Sequence, residues 1–151
     1  MTDKIGVVIL AAGEGTRMKM DIPKPLVPLS GRKLIDYPVT LMESFQEISG
    51  ADVELSIVTG FGKEHVESHL RDTFPHLSLT FAFQQKRKGT ADALRTYFEK
   101  IESAQQRDYT LIMCADTPLL ETETLLSLYR VLKGEGGEAV CASFHTAAPH
   151  G

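Results

Sequence analysis

A short apolar run at residues 5–10 passes straight into Leu10-Ala11-Ala12-Gly13-Glu14-Gly15-Thr16-Arg17-Met18, and Pro23-Lys24-Pro25-Leu26 follows. A run this brief, stopped by glycine, predicts a buried strand turning into a loop. The residues just past it are too small to screen the backbone. Their N–H groups are therefore open to a phosphate, and Arg17 and Lys24 supply two cations to hold its charge. The chemistry suits a nucleoside triphosphate.

Two familiar phosphate loops do not fit. A Walker loop ends in Gly-Lys-Ser/Thr, and no such tripeptide follows. A dinucleotide fingerprint needs a third glycine where Met18 stands, and an acidic residue about 20 positions on, after a second strand. One carboxylate downstream, Glu43, falls inside a helical pattern. An ordinary glycine turn would explain the glycines but not Arg17 with Pro-Lys-Pro at this spacing.

The rest of the chain alternates between two periods. Apolar runs at 5–10, 53–59, 77–83, 109–114 and 139–144 predict strands buried in a sheet. Amphipathic stretches at 34–48, 63–70, 90–103 and 121–132 predict helices, the last stopped by Lys133-Gly134. Such alternation predicts an α/β fold, Rossmann-like, with three α/β/α layers around a mainly parallel sheet. Ligands of such sheets bind at the carboxyl ends of the strands. Motifs just after strands therefore carry weight.

The bulk properties are those of one ordinary domain. At 151 residues the chain can bury roughly 70% of its unfolded surface. Its net charge of −4 argues against general nucleic-acid or anionic-membrane binding, though not against one local cationic pocket. No apolar run approaches the ~20 residues of a membrane span. Met1-Thr2-Asp3-Lys4 enters a strand directly, so no signal peptide and a cytoplasmic location are expected. Cys114 and Cys141, both at predicted strand ends, are expected as free, partly buried thiols. His65 and His69 lie four apart, but without a third ligand they predict a solvent-facing pair, not a zinc site.

Two further segments follow strands. Gln84-Gln85-Lys86-Arg87-Lys88-Gly89-Thr90 opens a helix. The Gln84 amide donates and accepts at once, which suits a pyrimidine edge such as uracil. Gly89 and Thr90 put free N–H groups and a hydroxyl at a helix start, where an anion or polar base edge is favoured. The plainer alternative is a solvated loop with a capping threonine. The basic run 86–88 reads as a solvated loop or as added positive potential. It lacks the interleaved aromatics of an RNA-binding surface. In Cys114-Ala115-Asp116-Thr117-Pro118-Leu119-Leu120 a carboxylate ends a strand, where it could hold Mg²⁺ or merely cap the next helix.

The opening Leu-Ala-Ala-Gly-x-Gly-Thr-Arg-Met string with Pro-Lys-Pro-Leu resembles the signature of the sugar-phosphate nucleotidyltransferases. It is similar above all to the uridyltransferase domains of bacterial UDP-N-acetylglucosamine pyrophosphorylases. The resemblance implies transfer of a uridylyl group from UTP to N-acetylglucosamine 1-phosphate, with Mg²⁺ as cofactor. It implies Arg17 and Lys24 as catalytic cations. Leu10, Ala11, Ala12, Gly13, Gly15, Thr16, Gln84, Gly89 and Thr90 would lie at the nucleotide. Asp116, in the family's Asp-x-Pro-Leu motif, would be the metal ligand. Cys114, Ala115 and Gly151 would lie at the sugar. UTP and a sugar 1-phosphate are the implied partners, with no nucleic acid and no membrane.

Two departures bear on the sugar. Relatives often carry Tyr-Gly before the metal aspartate, where this chain has Cys114-Ala115. They often carry Gly-Thr-Gly-His where this chain has Gly89-Thr90-Ala91-Asp92. Pro149-His150-Gly151 is similar to the start of a sugar-contacting segment. The resemblance thus implies that residues 1–151 are the nucleotide-binding part of a truncated domain. The second metal ligand, and any homo-oligomer contact, would then lie beyond residue 151. The alternatives are transfer to another sugar 1-phosphate or alcohol phosphate, a non-catalytic nucleotide-binding module, or a scaffold with no nucleotide affinity.

Overall fold

The computed structural model describes residues 2–13, 22–86 and 88–143. Among these, four parallel strands form one sheet: β1 (Lys4–Ala11), β4 (Asp52–Thr59), β5 (Leu79–Phe83) and β6 (Tyr109–Cys114). A two-stranded antiparallel hairpin, β2 (Pro28–Leu29) and β3 (Arg32–Lys33), stands apart from it. The helices are α1 (Asp36–Ser49), α2 (Lys63–Thr73), α3 (Thr90–Lys100) and α4 (Thr122–Glu135), with short 3-10 turns at Lys24–Leu26 and Glu102–Gln106.

The strand order is β5-β4-β1-β6. β1 pairs with β4 from Lys4↔Asp52 to Ala11↔Thr59, and with β6 from Ile5↔Tyr109 to Leu10↔Cys114. It is therefore hydrogen-bonded on both edges and covered on both faces. Ile5, Val7, Ile9 and Ala11 pack into a core with Val39, Met42 and Phe45 of α1, Val66 and Leu70 of α2, and Leu125 and Leu126 of α4. Val8, Leu10 and Ala12 face the opposite way, onto Ala93 and Tyr97 of α3. The period-2 alternation of one strand thus feeds two cores, and the result is the expected Rossmann-like three-layer arrangement.

Several elements differ from expectation. The run expected as a fifth strand at 139–144 forms no strand over its described residues, 139–143. These residues are exposed, and Ala139, Val140, Cys141 and Ala142 line a groove with residues of β6 and α4. Ala139, Val140, Cys141 and Ala142 carry little apolar area to bury, so packing does little to reward pairing there. Cys141 is consequently exposed and outside any strand, whereas Cys114 ends β6 half-buried; both are free. Helix α4 runs through Lys133-Gly134 and ends at Gly136, the residue that adopts the left-handed cap conformation (φ 66°). His69 does not face solvent: its Nε2 lies 2.6 Å from Oδ1 of buried Asp36 at the start of α1. Asp36 also accepts from the Lys33 N–H at 2.8 Å, so one carboxylate fastens hairpin, α1 and α2.

Gly60, just after β4, sits against the backbone of Ala12. A Cβ there would stand 2.6 Å from the Ala12 carbonyl oxygen and 2.9 Å from its Cα. Backbone cannot yield as a flexible side chain can. Gly60→Ala is expected to lower stability by about 1–3 kcal/mol, read as a drop in thermal midpoint. An unchanged midpoint would contradict this packing.

Candidate functional site

The chain passes from β1 to β4 and β5 on one side, then returns to place β6 on the other side of β1. The carboxyl ends of β1 and β6 consequently flank a topological switch point, the place where a crevice opens in such sheets. Hydrogen bonds extend the ladder past the strands. The Ala115 N–H donates to the Leu10 carbonyl at 3.0 Å, and the Gln84 N–H to the Thr59 carbonyl at 2.9 Å. These two bonds fix the starts of the site loops.

A cleft of about 720 Å³ lies at this end of the sheet. Leu10, Ala11, Ala12 and Gly13 form its floor at the end of β1, and Cys114, Ala115 and Asp116 the wall after β6. Gln84 comes from the end of β5, Gly89 and Thr90 from the start of α3, and Lys24 from the 3-10 turn. Every described candidate from the sequence thus lines one cleft. Gly15, Thr16, Arg17 and Gly151 lie outside the described residues, as does Arg87. Pro25, Gln85, Lys86 and Ala93 also line the cleft and were not singled out for it, apart from Lys86 in the basic run.

Each polar group has a structural reason for its place. Pro23 and Pro25 are buried on either side of half-buried Lys24. Their rings fix the backbone, and Leu26 N–H to the Pro23 carbonyl (2.8 Å) and Ile35 N–H to the Pro25 carbonyl (3.0 Å) anchor the turn. The Lys24 ammonium donates to Oδ2 of Asp116, a residue 92 positions away. Gly89 has φ 95° and ψ −176°, a conformation open almost solely to glycine, and α3 starts there with no side-chain cap. Among the described residues the first N–H groups of α3 accordingly have no intrahelical or side-chain acceptor. The Gln84 side-chain NH₂ donates to Asp92 Oδ2 at 2.8 Å and to the Gly89 carbonyl at 3.3 Å.

The same surroundings argue against nucleophilic chemistry. Burial, reinforced by the charge of Asp116 and opposed by that of Lys24, pushes the Cys114 thiol up from its ordinary value. A raised value means less thiolate at neutral pH, hence a poorer nucleophile. Asp116 offers one hard oxygen donor group beside the ammonium. No cluster of three or more His, Cys, Asp or Glu side chains that could hold a metal occurs among the described residues. That donor set fits a hard cation such as Mg²⁺, which takes one or two carboxylates alongside substrate phosphates. It does not fit an all-protein metal cage.

The family described as MobA-like NTP transferase domain matches residues 7–150. The chain belongs to that family. It is 34% identical over 150 residues to the bifunctional protein GlmU of Parvibaculum lavamentivorans, covering 99% of this chain and 31% of the relative. It is 36% identical over 153 residues to GlmU of Brucella anthropi, covering 100% and 31%. It therefore spans about a third of the length of these curated relatives. Among solved structures, UDP-glucose pyrophosphorylase complexed with UDP-glucose superimposes with a TM-score of 0.62 at 22% identity, over 88% of this chain and 55% of that one. That likeness supports the nucleotide-diphospho-sugar transferase type of fold. No helix among the described residues is long and apolar enough to cross a membrane.

The thiols give a direct check on the cleft wall. At pH 8 iodoacetamide should modify exposed Cys141 well before Cys114, whose raised pKa leaves it mostly protonated there. Peptide mass spectrometry over a time course reads both. Faster labelling of Cys114 would contradict the described environment.

Proposed function

We propose that this chain carries the nucleotide-binding site of a Mg²⁺-dependent uridylyltransferase that acts on UTP and N-acetylglucosamine 1-phosphate. The observation that carries the reading is the facing of Lys24 and Asp116 across one cleft that also holds Gln84 and the open start of α3. Cation, carboxylate, base-reading amide and exposed N–H groups are the parts that nucleotidyl transfer needs. The preference for this sugar rests on the sequence resemblance.

In the proposed reaction a phosphate oxygen of the sugar 1-phosphate attacks the α-phosphorus of UTP in line. The new P–O bond forms as the bond to the bridging oxygen of the β-phosphate breaks, and pyrophosphate leaves. The attacking oxygen is already anionic, so no general base is required. Catalysis is then positioning and charge neutralisation. Bound Mg²⁺ would supply Lewis-acid stabilisation of phosphoryl charge. Asp116 is the residue that would hold it. Leu10, Ala11 and Ala12 let the nucleoside approach the end of β1, and Gln84 faces the uracil. Lys24, and Arg17 from the segment outside the described residues, hold the triphosphate. Without ligand, Lys24 and Asp116 neutralise each other. Substrate phosphate then replaces Asp116 as the partner of Lys24 and frees the carboxylate.

Pyrophosphate release from UTP, Mg²⁺ and N-acetylglucosamine 1-phosphate tests this, with glucose 1-phosphate and other sugar 1-phosphates as competing acceptors. Lys24→Ala and Asp116→Asn should each lower turnover at least about a hundredfold. Asp116→Asn should bind metal-free UTP no more weakly than the parent, because it removes the carboxylate that competes for Lys24. Turnover unaffected by both substitutions would overturn the assignment. Binding without turnover by any acceptor would favour a nucleotide-binding module.

A further inference from the structure

The Gln84 amide is held by groups that can only accept. Its NH₂ meets the carboxylate of Asp92 and the carbonyl of Gly89. A flipped amide would turn its oxygen onto both, with no proton for either bond. The hydrogen-bonding chemistry therefore fixes the orientation. Asp92 is itself held on its other side: Arg95 donates to its Oδ1 while Gln84 takes Oδ2. The Gln84 hydrogen bond first, then the charges of Arg95 and Lys88, keep the Asp92 carboxyl below its ordinary range despite opposing desolvation. It remains an acceptor throughout the physiological range.

Among the described residues the Gln84 oxygen is left over. No donor among the described residues reaches it. It is not sealed in either, because the fully buried unpartnered side-chain polar atom among those residues is Ser56 Oγ. Gln84 as a whole is only 4% exposed and lines the cleft.

We propose that Asp92 is a positioning residue that locks Gln84 so that the cleft presents a hydrogen-bond acceptor to the base, selecting nucleotides whose ring nitrogen carries a proton. Uracil has N3–H at that place on its Watson–Crick edge. Cytosine has a bare N3 there and would set lone pair against lone pair. The inference rests on the nucleotide reading above and goes beyond it. Discrimination between the two pyrimidines is assigned to a residue that need not touch the base.

Calorimetric titration of the parent chain and variants with UTP and CTP tests it. In Asp92→Asn, donor-only Arg95 takes the new amide oxygen and leaves its NH₂ toward Gln84, which favours the flipped amide. The UTP-over-CTP preference should fall at least ~10-fold, mostly through a gain for CTP. Asp92→Ala, which removes the anchor without adding a donor, should bring the preference toward unity with CTP gaining less. A merely structural role for Asp92 would weaken both nucleotides alike and leave their ratio unchanged. A ratio that collapses in Gln84→Ala but survives both Asp92 variants overturns this inference alone. A folded parent chain that does not distinguish the two nucleotides overturns the inference together with the uridine reading beneath it.

Discussion

The cleft depends on β1 being paired in parallel on both edges and buried on both faces. A strand so enclosed cannot slip, because a one-residue shift would exchange its two sets of side chains between the two cores. Ile9 and Ala11 would then face α3 instead of α1 and α2. With the register fixed, the end of β1 at Ala11 lies beside the end of β6 at Cys114, and the chain leaves the sheet at both places. Backbone geometry thus brings small residues from one end of the sequence next to a carboxylate from the other.

The ion pair across that cleft is suited to being exchanged. The side chains of Lys24 and Asp116 are 34% and 41% exposed. A pair so accessible contributes on the order of 0–1 kcal/mol to stability. Breaking it therefore costs the fold little, which is what the proposed exchange of Asp116 for a substrate phosphate requires. By contrast the side chain of Asp36 is 6% exposed and bonded on both oxygens, which suits a permanent fastening. Both are aspartates, so solvation, not residue type, distinguishes them.

Much of this architecture was legible in the sequence because its signals are local. The apolar runs ending at Thr59, Phe83 and Cys114 ended as strands where the sequence placed them, and the helical stretches at 34–48 and 121–132 formed with shifted ends. What escaped was either short or long-range. The hairpin of β2 and β3 has two residues a side, too few to show a period. The stop of α4 fell on Gly136, not Gly134, because the glycine that ends a helix is chosen by the geometry of the turn after it. The run at 139–143 had the composition of a strand but little apolar area to bury. The bonds Lys24–Asp116 and His69–Asp36 join residues 92 and 33 positions apart, and no local pattern encodes such meetings. The Gln84–Asp92 bond lies within eight residues, yet the reversal at Gly89 that brings them together has no periodic signature.

The most direct test is a crystal structure of this chain with UTP and Mg²⁺. The account predicts the uracil against Gln84, the phosphates along Ala12 and Gly13, the metal on Asp116, and the Lys24 ammonium moved from Asp116 to a phosphate oxygen. UTP bound away from the β1–β6 cleft, or bound within it while the Lys24–Asp116 pair stays intact, would contradict it.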